Sequence, residues 1–198
     1  HKVVVSEEID IPGFSDNPPD RCYYCKSELF TVIKHIADTE KYDVVFDGSN
    51  ADDLNDYRPG RRAIKEKGVV SPLCDAGFTK LEIRLLSKKY ELPTADKPAY
   101  ACLASRFPYG EKITKEKLDR VGKAEKEIRE IGFSLFRVRN HDNLARLEFM
   151  PKEIDMAWRK RDEINEICHK AGFTFVAVDI QGYRTGAMNE VLNISSKK

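Results

Sequence analysis

The feature that most restricts how this chain can fold is the order in which strand-like and helix-like apolar patterns follow one another along the sequence. Short apolar runs at 2–5, 42–46 and 69–73 have the length and composition of strands. Apolar residues at helical spacing over 21–38 and 80–90 alternate with these runs. Strands that alternate with helices are typical of a parallel α/β sheet, so we predict an α/β fold for the first half. Polar loops are expected at 6–19 and 51–62.

A different pattern begins near residue 113. Thr114 is a suitable N-cap for a helix that ends at Gly132, and a second helix is expected over 152–171. Alternating residues at 136–139 and 144–149 predict a hairpin between these helices. A strand at 173–180 completes a small α+β domain. We place the domains at 1–110 and 111–192, followed by a tail at 193–198.

Composition restricts the class of protein and its surroundings. The 198 residues are 41% hydrophobic and 34% charged, which supplies enough apolar material for a core. A net charge of +1 provides no overall field for nucleic acid or a membrane surface, and no apolar run approaches the roughly 20 residues that span a bilayer. Five irregularly spaced cysteines argue against a secreted disulfide framework. We therefore expect a cytoplasmic protein with reduced thiols and no membrane partner.

Three cysteines are the first candidate site. Cys22 and Cys25 are three residues apart at the start of a predicted helix, so both thiolates can face one metal across a single turn. Cys102 is distant in sequence and would leave a fourth coordination position open. An open position is typical of a reactive centre, whereas a structural site is closed by four protein ligands.

The same cysteines also fit roles that involve no metal. A thioredoxin-like redox pair needs a strand before the two cysteines, and a long loop stands there instead. The simplest alternative is that Cys102 is a buried core residue, the more common role of a lone cysteine, and that Cys22 and Cys25 are a stray pair. Cys168 lies inside a predicted helix and is expected in the core, and Cys74 is a possible spare ligand.

The loop at 47–53 is a second candidate site. It follows a predicted strand, where open α/β sheets bind ligands, and it contains Asp47, Asp52 and Asp53. Clustered carboxylates at such a position are suited to Mg²⁺ on a polyphosphate. An ordinary polar turn explains the same residues equally well.

Arginines form the third candidate site. Arg137 and Arg139 alternate on one predicted strand, so both guanidinium groups point to the same face. Like charges side by side favour an anion between them, and the arginine fork matches phosphate or carboxylate. Arg184 follows the last strand in a glycine-rich turn and is expected to join them. A solvated face neutralised by Glu148 is the simpler alternative. Arg106, four residues after Cys102, places a cation near that thiol.

The assembled motifs resemble a known family, the ATP-dependent sulfur transferases of the LarE type, which build a nickel-pincer nucleotide cofactor. The resemblance spans nearly the whole chain in the order of the family. The matching stretches are 47–48, 55–60, Cys102 with 105–110, 137–139, 145–146 and 182–189.

The resemblance implies an N-terminal parallel-sheet domain of the adenine-nucleotide-hydrolase (PP-loop) type, which carries the ATP-pyrophosphatase activity, and a small C-terminal domain. Such enzymes adenylylate a carboxylate of a pyridinium biscarboxylate mononucleotide with ATP and Mg²⁺, and then replace the adenylate with sulfur. By motif, Asp47, Asp52 and Arg58 are expected to bind the nucleotide cofactor. The substrate phosphate is assigned to Arg137, Arg139 and Arg184.

The source of sulfur differs between branches of the family. In one branch the cysteine at the position of Cys102 gives up its own sulfur. In another, three cysteines hold a [4Fe-4S] cluster, and Cys22, Cys25 and Cys102 resemble that branch. Glu125 matches a family acidic position and is expected to be catalytic with Cys102. A further acidic position is matched by either Glu153 or Asp155.

One family motif is absent. The Ser-Gly-Gly-x-Asp-Ser phosphate loop does not occur, and the chain begins at His1, so we expect an N-terminally truncated PP-loop domain. A PP-loop tRNA thiolase with a cluster is an alternative, which the near-neutral charge disfavours. A zinc-binding module that is not an enzyme is another. We expect a small-molecule substrate, no nucleic acid, and a homo-oligomer.

Overall fold

The computed structural model describes residues 1–6, 8–55, 57–97 and 101–192, which form two compact units. The first unit contains His1–Phe14 and the chain from Pro18 to residue 97, and the second contains Ser15–Asn17 and residues 101–192. The domain boundary at 110/111 stays a prediction, although 101–110 belong to the second compact unit. The predicted tail at 193–198 and Asp56 of the family motif lie outside the described residues.

The first unit is mainly helical. Its longest helix confirms the prediction for 21–38, and its last confirms that for 80–90. Thr79 and Glu82 form a capping box at the start of that last helix, in which each side chain binds the backbone N–H of the other. The helices are α1 (Arg21–Glu40), α2 (Gly60–Glu66), α3 (Pro72–Asp75) and α4 (Lys80–Lys89), with 3-10 turns at Glu8–Asp10 and Ala51–Asn55.

Close packing of α1 against α2 forms the core of this unit. Phe30 of α1 and Ile64 of α2 are 4% and 6% exposed and lie together with Val69. A Cβ atom at Gly60 would lie 2.7 Å from Cδ of Lys26 and 3.2 Å from the carbonyl oxygen of Cys22. A side chain at this position would require the Lys26 side chain to move and would crowd the carbonyl oxygen of Cys22, so glycine favours the close approach of α2 to the turn of α1 that carries the paired cysteines.

The strands predicted for the first half are mostly wrong. Residues 2–5 have no regular structure, and Val3 and Val5 are 79% and 84% exposed because no strand pairs with them. The runs at 42–46 and 69–73 meet only in an isolated parallel bridge between Phe46 and Val70. Parallel pairing is therefore present, but no sheet forms among the described residues of this unit.

The loop predicted at 51–62 is also partly wrong, since it contains the Ala51–Asn55 turn and the start of α2.

The second unit is a three-stranded sheet packed against helices, as predicted. The helix α5 (Lys115–Glu130) begins at Thr114, whose hydroxyl accepts a hydrogen bond from the N–H of Lys117. Antiparallel β1 (Phe136–His141) and β2 (Leu144–Phe149) confirm the predicted hairpin, and β3 (Phe175–Val178) pairs parallel to β2. The unit also contains 3-10 turns at Leu103–Arg106 and Ala187–Leu192.

The single helix predicted for 152–171 is wrong. The segment forms a 3-10 turn (Pro151–Glu153) and two helices, α6 (Ile154–Arg159) and α7 (Arg161–Ala171). Lys160 leaves the helical conformation, with ψ at 15°, and its ammonium donates to the carbonyl oxygen of Ile131 at 2.8 Å. The break lets α7 turn onto α5, a tertiary requirement that the apolar spacing does not contain.

The two faces of the sheet differ in chemistry. Phe136, Val138, Leu147 and Phe149 point to one face and are at most 1% exposed, beside α5 and α7. The alternate residues of β1 and β2 point to the other face, and they are mainly charged. Within the part of the chain that the structure describes, no helix has the length and apolar character to cross a membrane.

Candidate functional site

The charged face of the sheet in the second unit is the strongest candidate site. Most of its charged residues are buried or half-buried, although charged groups are costly to remove from water, and Glu190 at its edge is exposed. Four arginines and three carboxylates lie along it. They are Arg137, Arg139, Arg146 and Arg184, with Glu148, Asp179 and Glu190.

Glu148 is the central anion of this face. It is 0% exposed, and its Oε2 lies 2.7 Å from Nη2 of Arg139, while its Oε1 lies 3.2 Å from Nη2 of Arg146. Arg139 also donates to the carbonyl oxygen of Ser105 at 2.7 Å. The predicted neutralisation by Glu148 is present for Arg139, but both groups are buried rather than solvated.

Arg137 is different from its neighbour Arg139. It is 5% exposed and donates to the carbonyl oxygen of Phe136 at 2.7 Å, while its guanidinium lies 4.9 Å from the ring centre of Tyr183. Among the described residues, no carboxylate lies within salt-bridge distance of Arg137. Burial and the neighbouring Arg106 guanidinium lower the pKa of Arg137 below its ordinary value. A buried cation without a paired anion is suited to an anionic ligand.

Arg184 follows a glycine-rich turn that packs against the end of β2. A Cβ atom at Gly182 would lie 2.7 Å from the carbonyl oxygen of Phe149, and the N–H of Tyr183 donates to that oxygen. The guanidinium of Arg184 pairs with Glu190 at 3.1 Å and lies 4.0 Å from Asp179. Arg184 therefore belongs to the same charged face as Arg146, which Asp179 also contacts.

Glu125 points inward from α5 and is 4% exposed. Its oxygens accept hydrogen bonds from Nε and Nη2 of Arg106 at 2.7 and 2.9 Å and from the N–H of Val138 at 3.0 Å. These contacts explain its burial. The catalytic assignment of Glu125 stays a prediction.

Cys102 is exposed and begins the 3-10 turn that contains Arg106. Nη1 of Arg106 donates to the carbonyl oxygen of Cys102 at 3.2 Å and to the hydroxyl of Ser105 at 2.7 Å. Arg106 therefore fixes the backbone that presents the thiol.

Cys22 and Cys25 lie on the first turn of α1 in the other unit, exposed and half-buried respectively. The thiol of Cys25 donates to Glu8 at 3.3 Å. Over the residues described, no group of three or more His, Cys, Asp or Glu side chains is arranged to hold a metal ion. Cysteine thiolates are soft ligands of the kind that an iron–sulfur cluster takes, and the assignment of Cys22, Cys25 and Cys102 to one cluster stays a prediction.

The carboxylates of the 47–53 loop also have defined partners. Asp47 accepts hydrogen bonds from the hydroxyls of Ser49 and Ser71 at 2.6 and 2.5 Å. Burial alone would raise its pKa, but these bonds and the Lys26 ammonium 3.8 Å away lower the pKa overall. Asp47 is therefore held as an anion.

The neighbouring carboxylates hold the loop. Asp52 accepts a hydrogen bond from the N–H of Lys80 at 2.9 Å, and Asp53 pairs with Arg58 at 2.9 Å. A cleft of about 280 Å³ beside Ser49 and Ser71 is also lined by Arg61 and Lys65 of α2.

Several residues of these sites were given no role from the sequence, although Arg146 lies in the matching stretch 145–146. Arg61 and Lys65 are four apart on α2, a spacing that places both on one side of the helix. Arg146 alternates with Glu148 on β2, the same signal that identified Arg137 and Arg139. Asp179 and Glu190 carry no such signal, since each lies beyond a strand end. Of the two candidates for the further acidic position, Glu153 accepts from the hydroxyl of Ser134 at 2.9 Å, and Asp155 is exposed on α6.

Comparison with known proteins identifies three relatives, while no family profile matches the chain. An uncharacterized protein of Synechocystis, slr1717, is 45% identical over 194 residues, which are 97% of this chain and 72% of that protein. An uncharacterized protein of Methanocaldococcus jannaschii, MJ0830, is 33% identical over 177 residues, 89% of this chain and 69% of that protein. The pyridinium-3,5-bisthiocarboxylic acid mononucleotide synthase of Lactiplantibacillus plantarum is 37% identical over 177 residues, 89% of this chain and 64% of the synthase.

Proposed function

The chain belongs to the family of Synechocystis slr1717 and Methanocaldococcus jannaschii MJ0830, and it is also similar to the Lactiplantibacillus plantarum synthase, so we propose that it converts a carboxylate of a pyridinium mononucleotide into a thiocarboxylate. The proposed reaction uses ATP and Mg²⁺, takes place in the cytoplasm, and transfers sulfur to an adenylylated carboxylate. The synthase supports an enzyme role for the family.

The observation that carries this proposal is the buried guanidinium of Arg137, which pairs with no carboxylate of the described chain. A mononucleotide presents a phosphate dianion, and arginine binds phosphate with two parallel hydrogen bonds. Arg139 is held by Glu148 and Arg184 by Glu190, so Arg137 has the greatest unmatched positive charge of the three. We assign the substrate phosphate to the face formed by these arginines, with Arg137 as its main contact.

ATP is proposed to bind in the first unit. Asp47, which is held as an anion, and Asp52 are the proposed ligands of Mg²⁺, while Arg58 orders the loop through Asp53. The cationic side chains of Arg61 and Lys65 line the adjacent cleft and are suited to the phosphates. In adenylylation, a substrate carboxylate oxygen attacks the α-phosphorus of ATP and pyrophosphate leaves.

Adenylylation turns the carboxylate into a good electrophile, because AMP is a better leaving group than hydroxide. A sulfur nucleophile then attacks the acyl carbon and AMP departs, which leaves a carbon–sulfur bond where the carbon–oxygen bond to AMP was. We propose that Cys22, Cys25 and Cys102 hold a [4Fe-4S] cluster, which when bound supplies a soft sulfide for this transfer. Arg106 holds the backbone of Cys102, and Glu125 in turn holds Arg106.

Metal analysis of protein purified without oxygen tests the cluster. We expect about four iron atoms per chain with visible absorption in wild type, and loss of both in Cys22→Ala and Cys102→Ala. Cys74→Ala is the matched control, since Cys74 is a half-buried thiol outside the proposed ligand set. One zinc per chain without visible absorption would favour the zinc module, and iron that persists in Cys22→Ala would contradict the ligand set.

A further inference from the structure

The carboxylate of Glu190 binds the guanidinium group of Arg184. It lies on the 3-10 turn Ala187–Leu192, and its oxygens accept hydrogen bonds from Nε and Nη2 of Arg184 at 3.1 and 3.2 Å. This two-point contact is the one that arginine also offers to a phosphate. The carboxylate therefore fills the position that a ligand of Arg184 would take.

The ion pair between Arg184 and Glu190 lies at the outer end of a row of side chains with alternating charge. From the centre of the face outward, the row consists of Arg139, Glu148, Arg146, Asp179, Arg184 and Glu190. The side chain of Glu148 near the inner end of the row is 0% exposed, whereas that of Glu190 at the outer end is 58% exposed. Removal of Glu148 would leave the buried Arg139 cation without its carboxylate, but Glu190 can exchange into water at little cost.

Displacement of Glu190 requires only a side-chain rotation. Its neighbour Asn189 is anchored by a hydrogen bond from the hydroxyl of Tyr109 at 2.9 Å and by a backbone bond to Gly186. The turn therefore stays in place while the glutamate side chain, with its three rotatable bonds, swings away. The charged groups that remain on the face then carry two net positive charges instead of one.

We infer that Glu190 is a specificity-determining residue, a resident carboxylate that a ligand must displace from Arg184. The inference rests on the proposed binding of the substrate phosphate to this face. A monoanionic carboxylate gains nothing by replacing another carboxylate. A phosphate dianion carries more charge and more acceptor oxygens, so it displaces Glu190 and selects the mononucleotide over other anions.

Calorimetric titration with inorganic phosphate and with acetate tests this role, at about pH 8, where phosphate is mainly dianionic. We expect Glu190→Gln to bind phosphate about two- to fivefold more tightly than wild type, the range of an exposed ion pair. We also expect acetate binding to appear in Glu190→Gln and to be undetectable in wild type. Glu166→Gln is the matched control, because it removes an exposed glutamate that pairs with Lys170 on α7.

The outcomes separate this inference from the proposed function. If Glu190→Gln binds phosphate with the same affinity as wild type, and acetate with the same affinity as wild type, the role of Glu190 is overturned. Arg137→Leu tests the phosphate face itself, and we expect it to abolish phosphate binding in both backgrounds. If phosphate binds equally well to Arg137→Leu and to wild type, the proposed phosphate site fails. If Arg137→Leu abolishes phosphate binding and Glu190→Gln strengthens it, both the phosphate site and the role of Glu190 are supported.

Discussion

Glu125 and Arg106 form a buried two-point ion pair, with Nε to Oε1 at 2.7 Å and Nη2 to Oε2 at 2.9 Å. The two residues are 4% and 1% exposed, and Glu125 additionally accepts from the N–H of Val138 on β1. The pair links α5, the sheet and the turn that follows Cys102. Glu125, which the family resemblance indicated as catalytic, thus has a structural role, because its ion pair with Arg106 connects three elements of one unit.

Glu125→Gln is expected to lower the free energy of unfolding by about 3–5 kcal/mol, because it leaves the Arg106 cation buried without its anion. Urea unfolding measured by circular dichroism checks this value. Glu130→Gln, an exposed position at the end of α5, should change stability by less than about 0.5 kcal/mol. A Glu125→Gln protein that keeps full stability and loses activity would instead support the predicted catalytic role.

Arg137→Leu and Arg139→Leu are expected to differ in stability, although the arginines are two residues apart on β1. Arg139→Leu should cost about 3 kcal/mol, because the buried Glu148 loses its shortest ion pair and keeps only Arg146. Arg137→Leu should be neutral or stabilising, since no carboxylate of the described chain is stranded. Thermal and urea unfolding of both variants measure the difference, and equal losses would contradict the assignment of Arg137 as the unmatched cation.

Thiol reactivity should separate Cys102 from Cys168. Cys102 is exposed, whereas Cys168 is 0% exposed and burial raises its pKa to about 12. The thiolate fraction of Cys168 at neutral pH is therefore about a thousandfold below that of an ordinary thiol. Iodoacetamide labelling of metal-free protein, followed by peptide mass spectrometry, should modify Cys102 long before Cys168, and denaturant should remove the difference. Equal labelling rates in folded protein would show that α7 does not bury Cys168.

His141 should titrate below its ordinary range. Its ring accepts a hydrogen bond from Nε of Arg146 at 3.2 Å, and burial, followed by the Arg146 charge, lowers its pKa below 6.5. Arg139 lowers the pKa further, while Glu111 and Glu148 oppose the shift. NMR signals of the His141 ring measure the midpoint directly.

The sign of the resulting pH dependence follows from this shift. Because the folded-state pKa is depressed, the stabilisation by neutral His141 is complete above pH 6.5 and is lost as the pH falls through the folded-state pKa. In His141→Gln, the loss of stability over this window should be smaller than in wild type. An identical pH profile would show that His141 ionises equally in the folded and unfolded chain.

Local signals were sufficient to predict several elements. The helix α1 was predicted from its apolar spacing, α5 from Thr114 and Gly132, and the hairpin from alternation on both sides of a polar turn. Each of these signals acts over a few residues. The strands at 2–5, 42–46 and 69–73 failed for the opposite reason, because a strand needs a partner and the run itself does not contain one.

The sequence by itself determined which residue types stand on one face of β1, because side chains alternate along any strand. The alternation therefore identified Arg137 and Arg139 as neighbours on one face. Together with the other motifs, these arginines also indicated the family. Only the tertiary structure decided that Arg139 is paired with Glu148 and that Glu125 holds Arg106, while Arg137 has no carboxylate partner in the described chain. Charge pairing depends on distances of a few ångströms between groups far apart in the chain, and packing sets those distances.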